Sequence, residues 1–457
     1  MLSQAFDSVG RLAAQGVWTI DQPGATTEPR LIQQRAYEYR PDGALVRVSD
    51  QLRGLRMMDV DPIGRVTAVT AATWRETYAY DAMGNLAMAE QPGHQDTAGA
   101  REYHGGLIAR AGRTVYEHDA QGRVVRTVRR TLSGQTREAT FAWDADDRLI
   151  RATTPDGHIW SYAYDPLGRR VAKRRLGEDG AVLDQVWFTW DGTQLAEQIS
   201  TGPDARAIAM TWDYDPVTGR PAAQTRRSWA TDAEQSQIDV EFHAIVTDLV
   251  GTPQELVAGD GRIAWWQTTS LWGKTIDAPD STARCPLRFP GQYHDDETGL
   301  DYNYHRYYDP ELGRYGSPDL LGLLGGLNPH AYVPNPLRQR DRLGLTCDDP
   351  FADRPDLAGK TVAVMGRLPD TEVAKTWPGH EVLDVPKWSI AVNDDWVNSV
   401  VSRGMPVYVG SPLSYENLWD AANDRPTVTA RELRMFQDAG YEWQGYYLLP
   451  PAPTGTS

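Results

Sequence analysis

Trp160–Arg175 reads WSYAYDPLGRRVAKRR, two arms of alternating character on either side of Asp165-Pro166-Leu167-Gly168. In each arm every second side chain can face the same way, which is the period of a β-strand. Asp-x-x-Gly between them is a type I turn signature: Asp caps the turn at its first position, and Gly accepts a positive φ near its end. The stretch therefore predicts a β-hairpin.

The same phrase recurs on both sides of it: an aromatic, Asp, two variable residues, Gly, a basic or polar residue and an aliphatic. It reads FDSVGRL at Phe6–Leu12, VDPIGRV at Val60–Val66, YDAMGNL at Tyr80–Leu86, HDAQGRV at His118–Val124, WDADDRL at Trp143–Leu149 and YDPLGRR at Tyr164–Arg170. Looser copies are YRPDGAL at Tyr39–Leu45 and WDGTQL at Trp190–Leu195. One hairpin is marginal in water, so such units must pair into a continuous sheet. Composition agrees, since 41 Gly and 30 Pro beside 16 Trp and 21 Tyr suit short strands and turns better than long helices.

The net charge of -16 argues against a general nucleic-acid or anionic-membrane surface, both of which need clustered Lys and Arg. Cys285 and Cys347 match no metal spacing and read as unrelated free thiols. No apolar run approaches the roughly 18 residues needed to cross a bilayer. The opening MLSQAFDSVGRLAAQGVW lacks a basic region followed by an apolar core, so no classical signal peptide is visible.

These phrases resemble the YD repeats of the Rhs family, after the pairs seen at Tyr80–Asp81 and Tyr164–Asp165. The resemblance implies a β-sheet spiral winding into a hollow shell over residues 1–240. The chain starts among repeats, so it looks like the C-terminal part of a larger protein or a detached end. From Phe242 the likeness becomes more specific. FHAIVTDLVGTPQELVAGDGRIAWWQTTSLWGKT (Phe242–Thr275) is similar to the stretch leading into the Rhs-associated core. Leu287–Leu337, with GQYHDDETGL followed by NYHRYYDPELGR, is similar to that core along nearly its whole length.

Two copies of a D-P-x-G phrase close the core in this family. Here they read Asp319-Leu320-Leu321-Gly322 and Asp341-Arg342-Leu343-Gly344, with the aspartates 22 positions apart as the pattern requires. Both prolines are replaced, by Leu320 and Arg342, which removes a restraint on the preceding Asp. Two carboxylates within reach of each other cannot both ionise easily; one can draw a proton from water while the other polarises a carbonyl. The resemblance implies aspartyl-type self-cleavage by Asp319 and Asp341 at the Leu345–Thr346 bond. Residues 241–345 are accordingly read as the core with its cleavage boundary.

Residues 346–457 change character, and the turn phrase stops. Gly359–Arg367, HEVLDVP and MPVYVGS read as strands, with Ile390–Val401 and Thr429–Asp438 as helices and YEWQGYYLLP as a closing strand. Thr429 and Glu432 suggest a capping box, and Gly440 a C-terminal stop. Strands alternating with helices predict a small α/β domain. Position after the boundary implies a variable toxin. Its 9 basic against 16 acidic residues lower the case for a nuclease, and no H-E-x-x-H, P-loop, G-x-S-x-G or C-x-x-C is present.

Two strand ends offer a site, where open α/β sheets bind ligands. One is Gly366-Arg367 with Asp370, the other Val409-Gly410-Ser411-Pro412 with Glu432. Arg367 could clamp a phosphate or carboxylate, and Glu432 could act as base. These features suggest a nucleotide- or NAD-directed enzyme with no evident cofactor or metal. The family implies a cognate immunity protein, export by a type VI or similar apparatus fused or bound to upstream Rhs sequence, and action in the target-cell cytoplasm. A nuclease, or a non-enzymatic surface-binding end, is the alternative.

Overall fold

The computed structural model describes residues 1–8, 11–19, 29–93, 96–201, 206–216, 218–230, 238–322, 326, 328–345, 361–365, 380–383, 389–409, 419–420, 425–444 and 447–451. The chain divides into two compact units, residues 1–348 and 349–457.

Among the described residues the first unit is built on one sheet of 23 strands, from Leu2–Phe6 to Ile263–Trp266. Each strand pairs antiparallel with its neighbour in sequence, as successive hairpins demand. The mostly β expectation is borne out, and the meander runs on past residue 240 as far as Trp266.

The phrase shows how. At Asp165 the carboxylate accepts from the backbone N–H of Leu167 and of Arg169, both at 2.9 Å, and its second oxygen accepts from Arg169 Nε at 2.7 Å. Gly168 takes φ 84° and donates to the Asp165 carbonyl. The pairing slips by one residue just before the turn, between Ala163 and Tyr164. Asp61, Asp81 and Asp119 repeat this pattern. In WDADDRL, Asp147 stands where the glycine should be and itself adopts φ 59°, a conformation Asp tolerates better than most side chains.

Where a phrase opens on Tyr or Trp, and in the further copy YDPVTGR that begins at Tyr214, that side chain also bonds to the phrase before it. Tyr39 donates to the carbonyl of Leu12, Tyr80 to Val66, Tyr164 to Leu149 and Tyr214 to Leu195, at 2.7–2.9 Å. Trp143 and Trp190 do the same through Nε1 to Val124 and Arg170. These bonds stitch successive turns together along one rim of the sheet.

The sheet curves until its early and late strands meet. Arg35 bonds to Glu255, and Gln15 donates to the Thr247 carbonyl. The described residues of 268–345 pack on its inner face. Leu271, Trp272, Phe289, Tyr308, Tyr315 and Tyr332 join the core of the first strands, from Leu12 to Ala89. Tyr302 and Tyr307 meet Leu149 and Tyr162, and Cys285, Leu287 and Tyr293 meet Phe188 and Trp212. Cys285 is a free, buried thiol, pushed up to about 11 by its burial; Cys347 lies outside the described residues.

The second unit is α/β, as expected. Its sheet runs in the order His380–Val382, Val362–Met365, Val407–Val409, Tyr447–Leu449, Glu442–Gln444. The first three are parallel and the last pair antiparallel. Val362–Met365 is buried throughout because it has a parallel neighbour on each side. The single closing strand expected over YEWQGYYLLP is instead a hairpin. Among the described residues two helices, α1 (Ile390–Ser402) and α2 (Val428–Asp438), place Val397, Val400, Leu433 and Phe436 in the core, with Trp396 packed at its edge. The capping box is corrected: the N-cap is Thr427, whose hydroxyl accepts from the Ala430 N–H, and Thr429 is buried within the helix. Gly440 ends it at φ 83°.

Candidate active site at the end of the core

Four short strands carry the core's aromatic motif: Tyr293–Asp295, Leu300–Asn303, Arg306–Asp309 and Arg314–Tyr315. Asn303 pairs with Arg306 across the Tyr304–His305 tip. Tyr304 adopts φ 52° there, an unusual conformation for a bulky residue. The tip receives the end of the core, since His305 N–H donates to the Leu343 carbonyl at 3.1 Å.

This docking brings the two sequence-distant aspartates to one guanidinium. Arg306 Nη2 lies 2.8 Å from Asp319 Oδ2 and 3.2 Å from Asp341 Oδ2. Both carboxylates are at most 2% exposed, as is Arg306. The same nitrogen reaches the Leu345 carbonyl oxygen at 3.3 Å. Arg306 Nε donates to the Gly344 carbonyl, and Nη1 to that of Pro329. Its plane lies 3.7 Å from the centre of the Tyr315 ring. A charge this deep needs such a set of acceptors, and Arg306 has them on every nitrogen.

Each aspartate also closes its own turn. Asp319 Oδ1 accepts from the Leu321 N–H at 2.8 Å, and Asp341 Oδ1 from the Leu345 N–H at 3.0 Å. The turn-capping and the paired-carboxylate readings are thus both satisfied by the same side chains. Asp341 Oδ2 accepts further from the Tyr315 hydroxyl at 2.9 Å, and Asn303 Nδ2 donates to Tyr315 Oη and to the Asp341 carbonyl. Burial pushes Asp319 up to about 6, with the Asp341 charge adding to it and Arg306 opposing. Burial raises Asp341 as well, again against Arg306. Two carboxylates in this setting can supply an acid and a base.

With Leu320 and Arg342 at the proline positions, both turns still close on their glycines. Gly322 and Gly344 keep φ 58° and 68°. Arg342 reaches across to donate to the Thr218 carbonyl at 2.9 Å. Sequence reasoning missed Arg306, Tyr315 and Asn303, although Asn303 and Arg306 stand in the quoted core motif and Tyr315 directly follows it.

Leu345 ends a described segment, and Thr346 lies outside the described residues. So do Arg367, Asp370 and Ser411. Glu432 is described, in the second turn of α2 facing α1, and is 5% exposed. Burial pushes it up to about 7, opposed by the Asn393 side chain and assisted by Asp394. Among the described residues its Oε2 and Asn393 Nδ2 make no hydrogen bond of good geometry. Asp394 itself is held by Arg431 at 2.6 Å. Among the described residues no three His, Cys, Asp or Glu side chains gather as metal ligands, and no helix is long and apolar enough to cross a membrane.

Residues 143–180 match the RHS Repeat family, and residues 243–278 the RHS protein family. This chain belongs to the Rhs family. The first match covers the hairpin quoted at the outset, and the second begins one residue after Phe242. The Rhs chain is 36% identical over 326 residues to double-stranded DNA deaminase toxin A of Burkholderia cenocepacia (strain H111), covering 68% of this chain and 22% of the relative. It is 31% identical over 338 residues to probable deoxyribonuclease RhsB of Dickeya dadantii (strain 3937), covering 72% and 22%. With toxin protein Tse5 of Pseudomonas aeruginosa the identity is 30% over 360 residues, covering 68% and 27%. The Rhs chain thus spans about a quarter or less of the length of these relatives.

Proposed function

We propose that this chain is the C-terminal part of an Rhs polymorphic toxin used in interbacterial antagonism. In this reading residues 1–240 are shell repeats, 241–345 the core that cuts the chain, and 346–457 the toxin. The observation that carries it is the convergence of Asp319, Asp341 and the Leu345 carbonyl on Arg306 Nη2.

The ionised member of the pair takes a proton from water, whose oxygen attacks the Leu345 carbonyl carbon. The protonated member supplies a proton as the Leu345–Thr346 bond breaks, leaving a carboxyl on Leu345 and an amine on Thr346. Arg306 faces the oxygen on which negative charge develops, and stabilises it there. One carboxyl group, one amine and one consumed water balance the step.

The released domain is an enzyme directed at a nucleotide or NAD, which its acidic charge favours over a polyanionic substrate. Arg367, Asp370, Ser411 and Glu432 are its candidate residues. A cognate immunity protein guards the producer, a type VI or related apparatus exports the toxin, and the target-cell cytoplasm is where it acts.

Two measurements test this. The intact chain should yield a fragment beginning at Thr346, and Asp319→Asn or Asp341→Asn should abolish it. Complete cleavage in either variant would overturn the dyad. Induced expression of residues 346–457 in a bacterium should arrest growth with loss of NAD or nucleotides. Normal growth with a soluble, folded product would overturn the toxin assignment, and fragmented nucleic acid with intact NAD would replace the substrate.

A further inference from the structure

The two aspartates are not equivalent. Among the described residues Asp319 receives two donors, Arg306 Nη2 and the Leu321 N–H. Asp341 receives three: Arg306 Nη2, the Leu345 N–H and the Tyr315 hydroxyl. The direction of that last bond is fixed by its neighbours. Asn303 Nδ2 lies 2.8 Å from the Asp341 carbonyl oxygen, which can only accept, so the amide nitrogen is the atom placed there. The same nitrogen, 2.7 Å from Tyr315 Oη, must donate to it. With its oxygen accepting from Asn303, the Tyr315 hydroxyl has its own proton free for Asp341 Oδ2.

Ringed by three donors, Asp341 has no acceptor among the described residues for a proton of its own, whereas Asp319, with two donors among them, keeps more of its acceptor positions open. We infer that Tyr315 is a positioning residue for the cleavage, holding Asp341 in the ionised form that activates water and leaving the shared proton on Asp319. This assignment of base and acid rests on the self-cleavage reading above.

The charged and titratable groups that face Asp341 are Arg306 on the adjoining strand, Tyr315 on the next, and Asp319 across the guanidinium. His305 and His330 act on the Arg306 side, and burial lowers them to about 4 and about 3, so both are neutral where cleavage would be measured. Burial and the Asp341 charge raise Tyr315 well above its ordinary value, so its hydroxyl keeps the proton it donates. The ring also packs against Tyr308 and Tyr332, which Phe would preserve.

The test is the pH profile of cleavage in the full chain. Denatured precursor is diluted into buffers from acid to mildly alkaline, and the appearance of the 346–457 fragment is timed. Tyr315→Phe should move the acid limb of the rate to higher pH by about one unit, the worth of one hydrogen bond to a charged group. The rate should fall roughly tenfold on the acid side and recover at higher pH. Asn303→Ser, which frees the hydroxyl to turn away, should move the limb in the same direction and serves where Tyr315→Phe does not refold. Asp341→Asn run alongside separates the failures. If it blocks cleavage while both other variants keep the parent profile, the role of Tyr315 is overturned and the dyad stands. If Asp341→Asn cleaves fully, the dyad reading falls and this inference with it.

Discussion

The Tyr164 hydroxyl donates to the main-chain carbonyl of Leu149 at 2.8 Å and also meets the Tyr307 hydroxyl at 2.8 Å. The first bond ties a turn phrase to the aliphatic that ends the phrase before it; the second ties the rim to the core strands inside. Tyr80 makes the equivalent bond to Val66 at 2.7 Å. Removing a hydroxyl from a buried bond costs about 1 kcal/mol, more when two partners are left unpaired. Tyr80→Phe should lower the urea midpoint by about 1 kcal/mol of stability, and Tyr164→Phe by about 2 kcal/mol. Equal midpoints for Tyr164→Phe and the parent would show that these aromatics act by packing alone.

Glu255 closes the curved sheet on itself. It sits between Arg35 and Arg53, which also share Asp50, and all four side chains are at most 2% exposed. Glu255 and Arg35 are 220 positions apart, so the pair joins the two ends of the meander. Glu255→Gln leaves two buried guanidinium groups with one carboxylate, a change expected to cost about 3–5 kcal/mol. Amide hydrogen exchange should rise in Leu31–Tyr39 and Pro253–Ala258 before it rises near Trp160. Uniform acceleration throughout the sheet would instead mark this network as an ordinary part of one cooperative unit.

The repeat was legible because its turns need particular backbone chemistry. Asp must accept from N–H groups within the turn, and Gly must take a positive φ, so both types recur at fixed spacing. The aromatic's polar tip was not legible, because nothing in a single phrase shows which carbonyl the preceding phrase will present. Asp319 and Asp341 stood out by family resemblance, but Arg306 did not. Its signal is a single Arg inside a run of aromatics, where a charge can survive only on several acceptors. The helix start was misplaced because Thr429 and Glu432 match the capping-box spacing. Thr427 wins instead, and starting there turns Thr429 and Glu432 inward. The second unit's other candidates, Arg367, Asp370 and Ser411, lie outside the described residues.

Glu432 gives the second unit a stability that depends on pH. Its ordinary value of 4.5 is raised to about 7 in the folded state. The folded state therefore holds a proton that the unfolded chain releases, and its stabilising share is whole below about 4.5 and lost as pH rises through about 7. Glu432→Gln keeps a neutral, hydrogen-bonding side chain at every pH. The variant should match the parent in acid and exceed it above neutrality, by up to about 3 kcal/mol. Hydrogen exchange of α2 in the full chain reads this directly. A variant less stable than the parent above neutral pH would show that the Glu432 charge has a partner that stabilises it.

The two closing glycines make opposite demands, although both have positive φ. Among the described residues a Cβ on Gly322 would meet nothing within 4 Å, so Gly322→Ala carries chiefly the backbone strain of a left-handed residue, about 1–2 kcal/mol. A Cβ on Gly344 would come within 2.6 Å of the Asn303 carbonyl oxygen and 3.2 Å of the Arg306 nitrogen. Those are backbone atoms of the hairpin that presents Arg306, and they cannot step aside as a flexible side chain would. The Asp341 turn must then lift, carrying away the Leu345 N–H held by Asp341 and the Leu345 carbonyl held by Arg306. The proposed cleavage would depend steeply on such placement, since a shift of about 1 Å can cost a hundredfold in rate. Gly344→Ala should therefore slow release of the 346–457 fragment by about two orders of magnitude, while Gly322→Ala cleaves within a few-fold of the parent. Time courses of both variants decide the matter, with Gly344→Ala at the parental rate showing that the bond is cut from some geometry other than this one.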